Sequence, residues 1–144
     1  MRIYVATSWR NEFQPEIVKD LRAAGHEVYD FRDEEGFHWT EVDPNWKDWK
    51  PSEYIWGLKQ PAAERGFKRD MDALKWCEAC VYVMPCGPSA SMEMGYAKGA
   101  GKIVIVYIPA LREPDLMVKM ADHITNDFSE VLDLLAFKPV KVQP

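Results

Sequence analysis

Glu93 sits in the first turns of a segment that opens with Gly87-Pro88-Ser89-Ala90-Ser91 and follows the apolar run Ala79–Met84. A strand end that enters a Gly/Pro/Ser turn and then a helix offers free backbone N–H groups and hydroxyls to an anion or to sugar hydroxyls. Gly87, Ser89 and Ser91 are therefore candidate ligands for such a substrate. A carboxylate in the same place can attack an electrophilic carbon, as in retaining glycoside chemistry. The alternative for Glu93 is a glutamate that caps its own helix.

Two further groups of residues could do chemistry. Asp70 and Asp72 lie on a predicted helix, and residues two apart do not share a helix face, so at most one of them enters a pocket. That one can protonate a leaving group; the alternative is a solvated surface paired with Lys68, Arg69 and Lys75. Ser8, Trp9 and Arg10 follow the first predicted strand. A hydroxyl and a guanidinium there suit a phosphate or carboxylate, since arginine presents a planar fork of donors. The alternative is an N-cap serine with a surface arginine. His26 and His123 read as structural, and none of the three histidines has a partner at metal-ligand spacing. His38 and Trp39 belong to a polar, turn-rich stretch that also holds Trp46, Trp49, Tyr54 and Trp56. Large rings in such a stretch either cover a core or line a pocket. Cys77 and Cys80 have C-x-x-C spacing, but the pair falls at a predicted helix end with no second pair for zinc; with Cys86 they read as inert thiols. Neither a metal nor a cofactor is expected.

The elements that must carry these residues follow from periodicity. Arg2–Thr7 and His26–Phe31 read as strands around a helix over Gln14–Ala24, with Gly25 as its C′ residue. Strand, helix and strand within about 30 residues is the period of a parallel βαβ unit. Residues 32–51 read as a long loop, the first part of an aromatic-rich segment over 32–60. Helices are predicted at Ser52–Leu58, Ala62–Trp76 (apolar face Phe67, Met71, Leu74, Trp76), Ser89–Ala100, Asp115–Met120 and Ser129–Leu135. Strands are predicted at Ala79–Met84, Lys102–Ile108 and His123–Thr125. The whole reads as one α/β domain over residues 1–137, doubly wound and flavodoxin- or Rossmann-like, with a five-stranded, mostly parallel sheet and a loose tail at 138–144. In such a sheet ligands bind beyond the C-terminal strand ends, where the strand order switches.

Composition narrows the functions. With 144 residues, 47% hydrophobic and 28% charged, the chain is an ordinary globular domain. A net charge of −5 argues against a grip on a nucleic acid polymer, which needs a basic face. The longest apolar run, Ile103–Ile108, is too short to cross a membrane. The N-terminal residues have no signal-type apolar core, so a cytoplasmic protein is expected.

Three blocks together resemble a known family. They are IYVATSWR at 3–10, RDMDALKWCEACVYV at 69–83 and SASMEMGYAKGAGK at 89–102, the last with the spacing Glu-x-Gly-x-Ala-x-x-x-Gly-Lys. They resemble the nucleoside 2-deoxyribosyltransferase family, including its 2′-deoxynucleoside 5′-monophosphate N-hydrolase branch. The resemblance covers most of residues 1–108 except the loop at 32–60. It implies that Glu93 attacks the anomeric carbon, that Asp70 binds and protonates the departing base, and that Tyr4 orients Glu93. It implies that Ser8, Arg10 and Ser89 hold a 5′-phosphate, although Gly87 occupies the place where the family usually has a polar residue. The substrate would be a small nucleoside or nucleotide. A homodimer or larger assembly is expected from the resemblance and from the tryptophan count. A binding module without turnover and an NAD glycohydrolase are the alternatives.

Overall fold

The structure is a computed structural model that describes residues 1–33 and 36–136. The expected tail at 138–144 lies outside the described residues. Five strands, β1 (Arg2–Ala6), β2 (Glu27–Tyr29), β3 (Ala79–Val83), β4 (Ile103–Tyr107) and β5 (His123–Thr125), form a single sheet in the order β2-β1-β3-β4-β5. All four strand pairs are parallel, so the expectation of a mostly parallel sheet becomes a fully parallel one. Among the described residues five α-helices connect and cover it: α1 (Gln14–Ala23), α2 (Pro51–Leu58), α3 (Pro61–Trp76), α4 (Pro88–Gly99) and α5 (Phe128–Ala136). The order doubles back between β1 and β3, which opens a crevice at their C-terminal ends. Among the described residues no helix is long and apolar enough to cross a membrane.

Local chemistry sets the boundaries. Helices α2, α3 and α4 each begin on a proline, whose missing N–H is one the first turn could not use anyway. Helix α1 stops before Gly25, which takes φ +91°, a conformation costly for any residue with a Cβ. Strand β2 is shorter than the apolar pattern of 26–31 suggests. The Asp30 carboxylate accepts the N–H of Arg32 at 2.8 Å and the amide of Gln14 at 2.6 Å, and this turn takes the chain off the sheet edge.

The alternation of side chains along the buried strands divides the core into two layers. Ile3, Val5, Val81, Val83 and Ile105 face one way and pack with Ile17, Val18 and Leu21 of α1 and Val131 and Leu135 of α5. Tyr4, Ala6, Cys80, Tyr82, Val104 and Val106 face the other way and pack with Leu74 of α3 and with Ala90, Met94 and Ala97 of α4. Tyr4 is thereby committed to the side of the sheet that carries α3 and α4.

Residues 36–51 are more ordered than a loop reading implies. They contain two 3-10 turns, Trp39–Glu41 and Trp46–Asp48. Their rings meet edge to face: Phe37 with Trp39 at 4.9 Å, Trp39 with Trp49 at 5.6 Å and Trp49 with Trp56 at 6.4 Å. The Trp49 indole N–H also donates to Asp43 at 2.8 Å.

Candidate active site

A cleft of about 910 Å³ lies over the C-terminal ends of β1 and β3. Its floor and ends are formed by Thr7, Ser8 and Arg10 after β1, Gly87, Pro88 and Ser89 after β3, and Asp70 and Glu93 from the two helices. Its wall is aromatic: Trp9, Phe31, Phe37, His38, Trp39, Trp46 and Phe67. The volume falls within the range of small-molecule sites.

Helical geometry brings the two carboxyl groups there. Glu93 is three residues after Ala90 and four before Ala97, so it shares the buried stripe of α4. Asp70 is three and four residues before Ala73 and Leu74, on the buried stripe of α3. Asp72 points away and pairs with Lys68 at 2.5 Å. Glu93 does not cap its helix. It stands six residues past the Gly87 cap, and among the described residues no backbone N–H donates to it.

The electrostatics couple these groups. Burial, then the nearby charge of Asp70, pushes Glu93 up to about 8, and the Tyr4 hydroxyl opposes this. Burial also raises Asp70, against the pull of its bond from Tyr29 and of the Arg69 charge. Tyr4 is fully buried, and its hydroxyl faces Glu93 without closing a hydrogen bond of standard geometry. Burial and the fields of Glu93 and Asp70 raise it far above an ordinary phenol, so it stays neutral and can only donate to that carboxylate. The Tyr29 hydroxyl donates to Asp70 Oδ1 at 2.6 Å, and its ring stacks on Tyr4 at 5.1 Å.

The turn after β1 is bolted down. Thr7 Oγ1 donates to the Val83 carbonyl at 2.8 Å, and the Asn11 amide bridges the carbonyls of Val83 and Pro85. Arg32 Nη2 lies 2.8 Å from the carbonyl oxygens of Ser8, Trp9 and Asn11. Trp9 is held against His38 at 4.5 Å and edge-on to Phe31 at 5.1 Å. Arg10 is exposed on the cleft and has no ion-pair partner among the described residues. Ser8 and Ser89 reach the same cleft, and a Cβ built on Gly87 would meet nothing within 4 Å.

No family model matches the chain, and no curated protein matches it. Solved structures that share its fold include two enzymes. One is a 2-deoxyribosyltransferase from Bacillus psychrosaccharolyticus, with a TM-score of 0.60 and 20% identity over 92% of this chain and 91% of that one. The other is a CMP N-glycosidase from Clostridium botulinum, with a TM-score of 0.52 and 18% identity over 95% of this chain and 100% of that one. At these identities the likeness establishes the fold.

Of the residues singled out from sequence, the structure brings Glu93, Asp70, Ser8, Trp9, Arg10, Gly87, Ser89, His38 and Trp39 to one cleft, with Tyr4 directly beneath Glu93. Ser91 is not among the lining residues. Its hydroxyl lies 2.9 Å from Tyr82 Oη and donates to the Gly87 carbonyl at 3.3 Å, which spends it on the helix start. Phe67, expected on the core face of its helix, is 66% exposed and lines the cleft. Arg32 and Tyr29 carry no motif, and their partners in space single them out. Cys77 and Cys80 are buried and Cys86 half-buried; burial raises all three thiols. Among the described residues no cluster of three His, Cys, Asp or Glu could hold a metal ion.

Proposed function

We propose that this chain is an enzyme that cleaves or exchanges the N-glycosidic bond of a nucleoside or its 5′-monophosphate. The observation that carries this reading is the placement of Glu93 and Asp70 on the buried stripes of two helices, facing one cleft at the switch in strand order. Two solved structures that share the fold, a 2-deoxyribosyltransferase and a CMP N-glycosidase, support the same class of reaction.

The chemistry follows from the geometry. Leaving of the base builds positive charge on the sugar ring. Glu93 stabilises that charge and bonds to C1′, giving a glycosyl-enzyme. The base leaves as a neutral species when Asp70 delivers a proton to it. Near neutral pH the coupled pair holds one proton, which rests on Glu93 beside a charged Asp70; the working form is the tautomer with that proton on Asp70 and Glu93 bare. The neutral Tyr4 hydroxyl then donates to the bare Glu93 carboxylate. Water attack on C1′ gives hydrolysis, and attack by a second base gives transfer. Arg10, Ser8 and Ser89 hold the sugar hydroxyls or a 5′-phosphate, and the aromatic wall takes the base by stacking.

The test is release of free base from a panel of nucleosides and their 5′-monophosphates, read by chromatography. Glu93→Ala loses activity by roughly 10³-fold or more, in line with the loss of a covalent nucleophile. Asp70→Asn loses roughly 10²–10⁴-fold. Intact mass spectrometry detects a glycosyl adduct on the wild type and none on Glu93→Ala. No base released by the wild type, or release unchanged in Glu93→Ala, overturns the reading. Leu116, Met117, Met120 and Ile124 are exposed apolar residues that fit a homodimer, and a monomer in light scattering would remove that part.

A further inference from the structure

We propose that Tyr29 is a positioning residue that pins one oxygen of Asp70 and thereby aims the other at the departing base. The inference rests on the reading of Asp70 as the acid of an N-glycosidic reaction. Tyr29 is the last residue of β2, and the register sets it directly beside Tyr4 of β1. The two rings stack at 5.1 Å with 23° between their planes, and the Arg69 guanidinium lies 5.7 Å from the centre of the Tyr29 ring. Held in this way, the ring places its hydroxyl 2.6 Å from Asp70 Oδ1, a residue 41 positions later in the chain.

A phenol has one proton to give, and this one is committed to Oδ1. Oδ1 accepts this bond whether the group is ionised or carries its proton on the other oxygen, so the bond fixes the rotation of the carboxyl group in both forms. Among the described residues no side chain donates to Oδ2, and Asp70 lines the cleft. The free oxygen is the one that can exchange a proton with a substrate. Tyr29 thus supplies orientation to an aspartate whose backbone position is set by α3.

The bond also affects which carboxyl group carries the shared proton. The groups that face Asp70 are Tyr29 from β2, Arg69 from α3, Tyr4 from β1 and Glu93 from α4. Tyr29 and Arg69 favour its ionised form, while the negative charge of Glu93 disfavours it. Without the phenol only Arg69 remains on the favourable side, and Asp70 gives up its proton at higher pH.

The experiment compares the wild type, Tyr29→Phe and Asp70→Asn without ligand, each labelled with ¹³C at the aspartate carboxyl. The Asp70 resonance is the one that disappears in Asp70→Asn. In Tyr29→Phe its titration midpoint rises by about one unit or more; an unmoved midpoint overturns the proposal. Phenylalanine keeps the ring and its stack on Tyr4, and a thermal melt checks that the fold is retained. Where the wild type releases base, Tyr29→Phe lowers kcat with KM within about twofold. The acid limb of its pH profile moves upward, because that limb reports the first proton leaving the pair. A fall in kcat with both limbs unmoved assigns Tyr29 to packing alone and overturns the proposal. If the wild type releases no base, the glycosidic reading fails, and the titration still decides what Tyr29 does to Asp70.

Discussion

The charge of Asp70, on α3, adds to burial in keeping a proton on Glu93, on α4. Glu93 ionises near 4.5 in the unfolded chain and at about 8 when folded. Between those values the folded protein retains a proton that the unfolded chain has released. Stability is therefore unpenalised below pH 4.5, falls as pH rises through the window, and carries the full penalty above about pH 8. At 1.36 kcal/mol per unit that penalty is on the order of 5 kcal/mol. Glu93→Gln removes the titrating group and keeps its shape. Its melting temperature is expected to exceed that of the wild type by about 5 °C or more at pH 8.5, and to match it near pH 4.5. Parallel melting curves for the two proteins across this range would contradict the burial of Glu93.

Gly57 is a notch for the Trp49 ring. A Cβ built on Gly57 would fall 2.4 Å from Trp49 Cη2, and Trp49 in turn meets Trp39 and Trp56. Gly57→Ala gains up to about 1 kcal/mol of helix propensity. Overpacking costs about 1–3 kcal/mol and wins, because the obstacle is a rigid ring held by Asp43. The variant is expected to be less stable in urea and to show altered tryptophan fluorescence. KM should rise, since Trp39 lines the cleft. A more stable variant with unchanged fluorescence would show that the ring is free to move.

The parts of the fold legible from sequence are those set by local pattern. ACVYV at 79–83 is buried along its whole length, as an unbroken apolar run in a doubly covered strand requires. Glu93 is legible from its place at the helix start after β3, whereas helical spacing leaves Asp70 and Asp72 as rivals and the family resemblance alone favours Asp70. Tyr29 is not legible, because its partner lies on another element and β2 is only three residues long. Phe67 was misplaced because periodicity marks an apolar face without saying whether core or cleft lies opposite. Ser91 looked like a ligand because its neighbours in the chain face the cleft. Its own direction depends on Tyr82, on the sheet below. The stretch 32–51 reads as irregular because ring-to-ring contacts between distant tryptophans leave no periodic trace.

Arg32 is the anchor of the turn that carries Ser8, Trp9 and Arg10. Its guanidinium meets three backbone carbonyl groups of that turn, and among the described residues no group bonds to its buried Nε. Arg32→Ala leaves those carbonyl groups without their charged donor. The expected cost is about 2–3 kcal/mol in chemical denaturation, at the level of hydrogen bonds to a charged group. Arg32→Lys keeps a charge and loses the planar fork, so it falls between the two. Base release should fall in the same order as stability. A full-strength Arg32→Ala enzyme would mean that the turn holds its shape through Thr7 and Asn11 alone.

Phe67 separates binding from stability. It stands one helical turn before Asp70, lines the cleft, and is 66% exposed with no ring partner among the described residues. An exposed side chain contributes little to folding, so Phe67→Ala should melt within about 0.5 kcal/mol of the wild type. A base stacked on an aromatic ring gains about 1–3 kcal/mol. If Phe67 supplies that surface beside the acid, KM rises roughly tenfold or more in Phe67→Ala while kcat changes little, since the ring touches no reacting atom. Phe67→Leu keeps apolar bulk without a π face and should recover only part of the loss. A KM that stays unchanged in both variants would assign base stacking to Trp9 and Trp39, which line the same cleft.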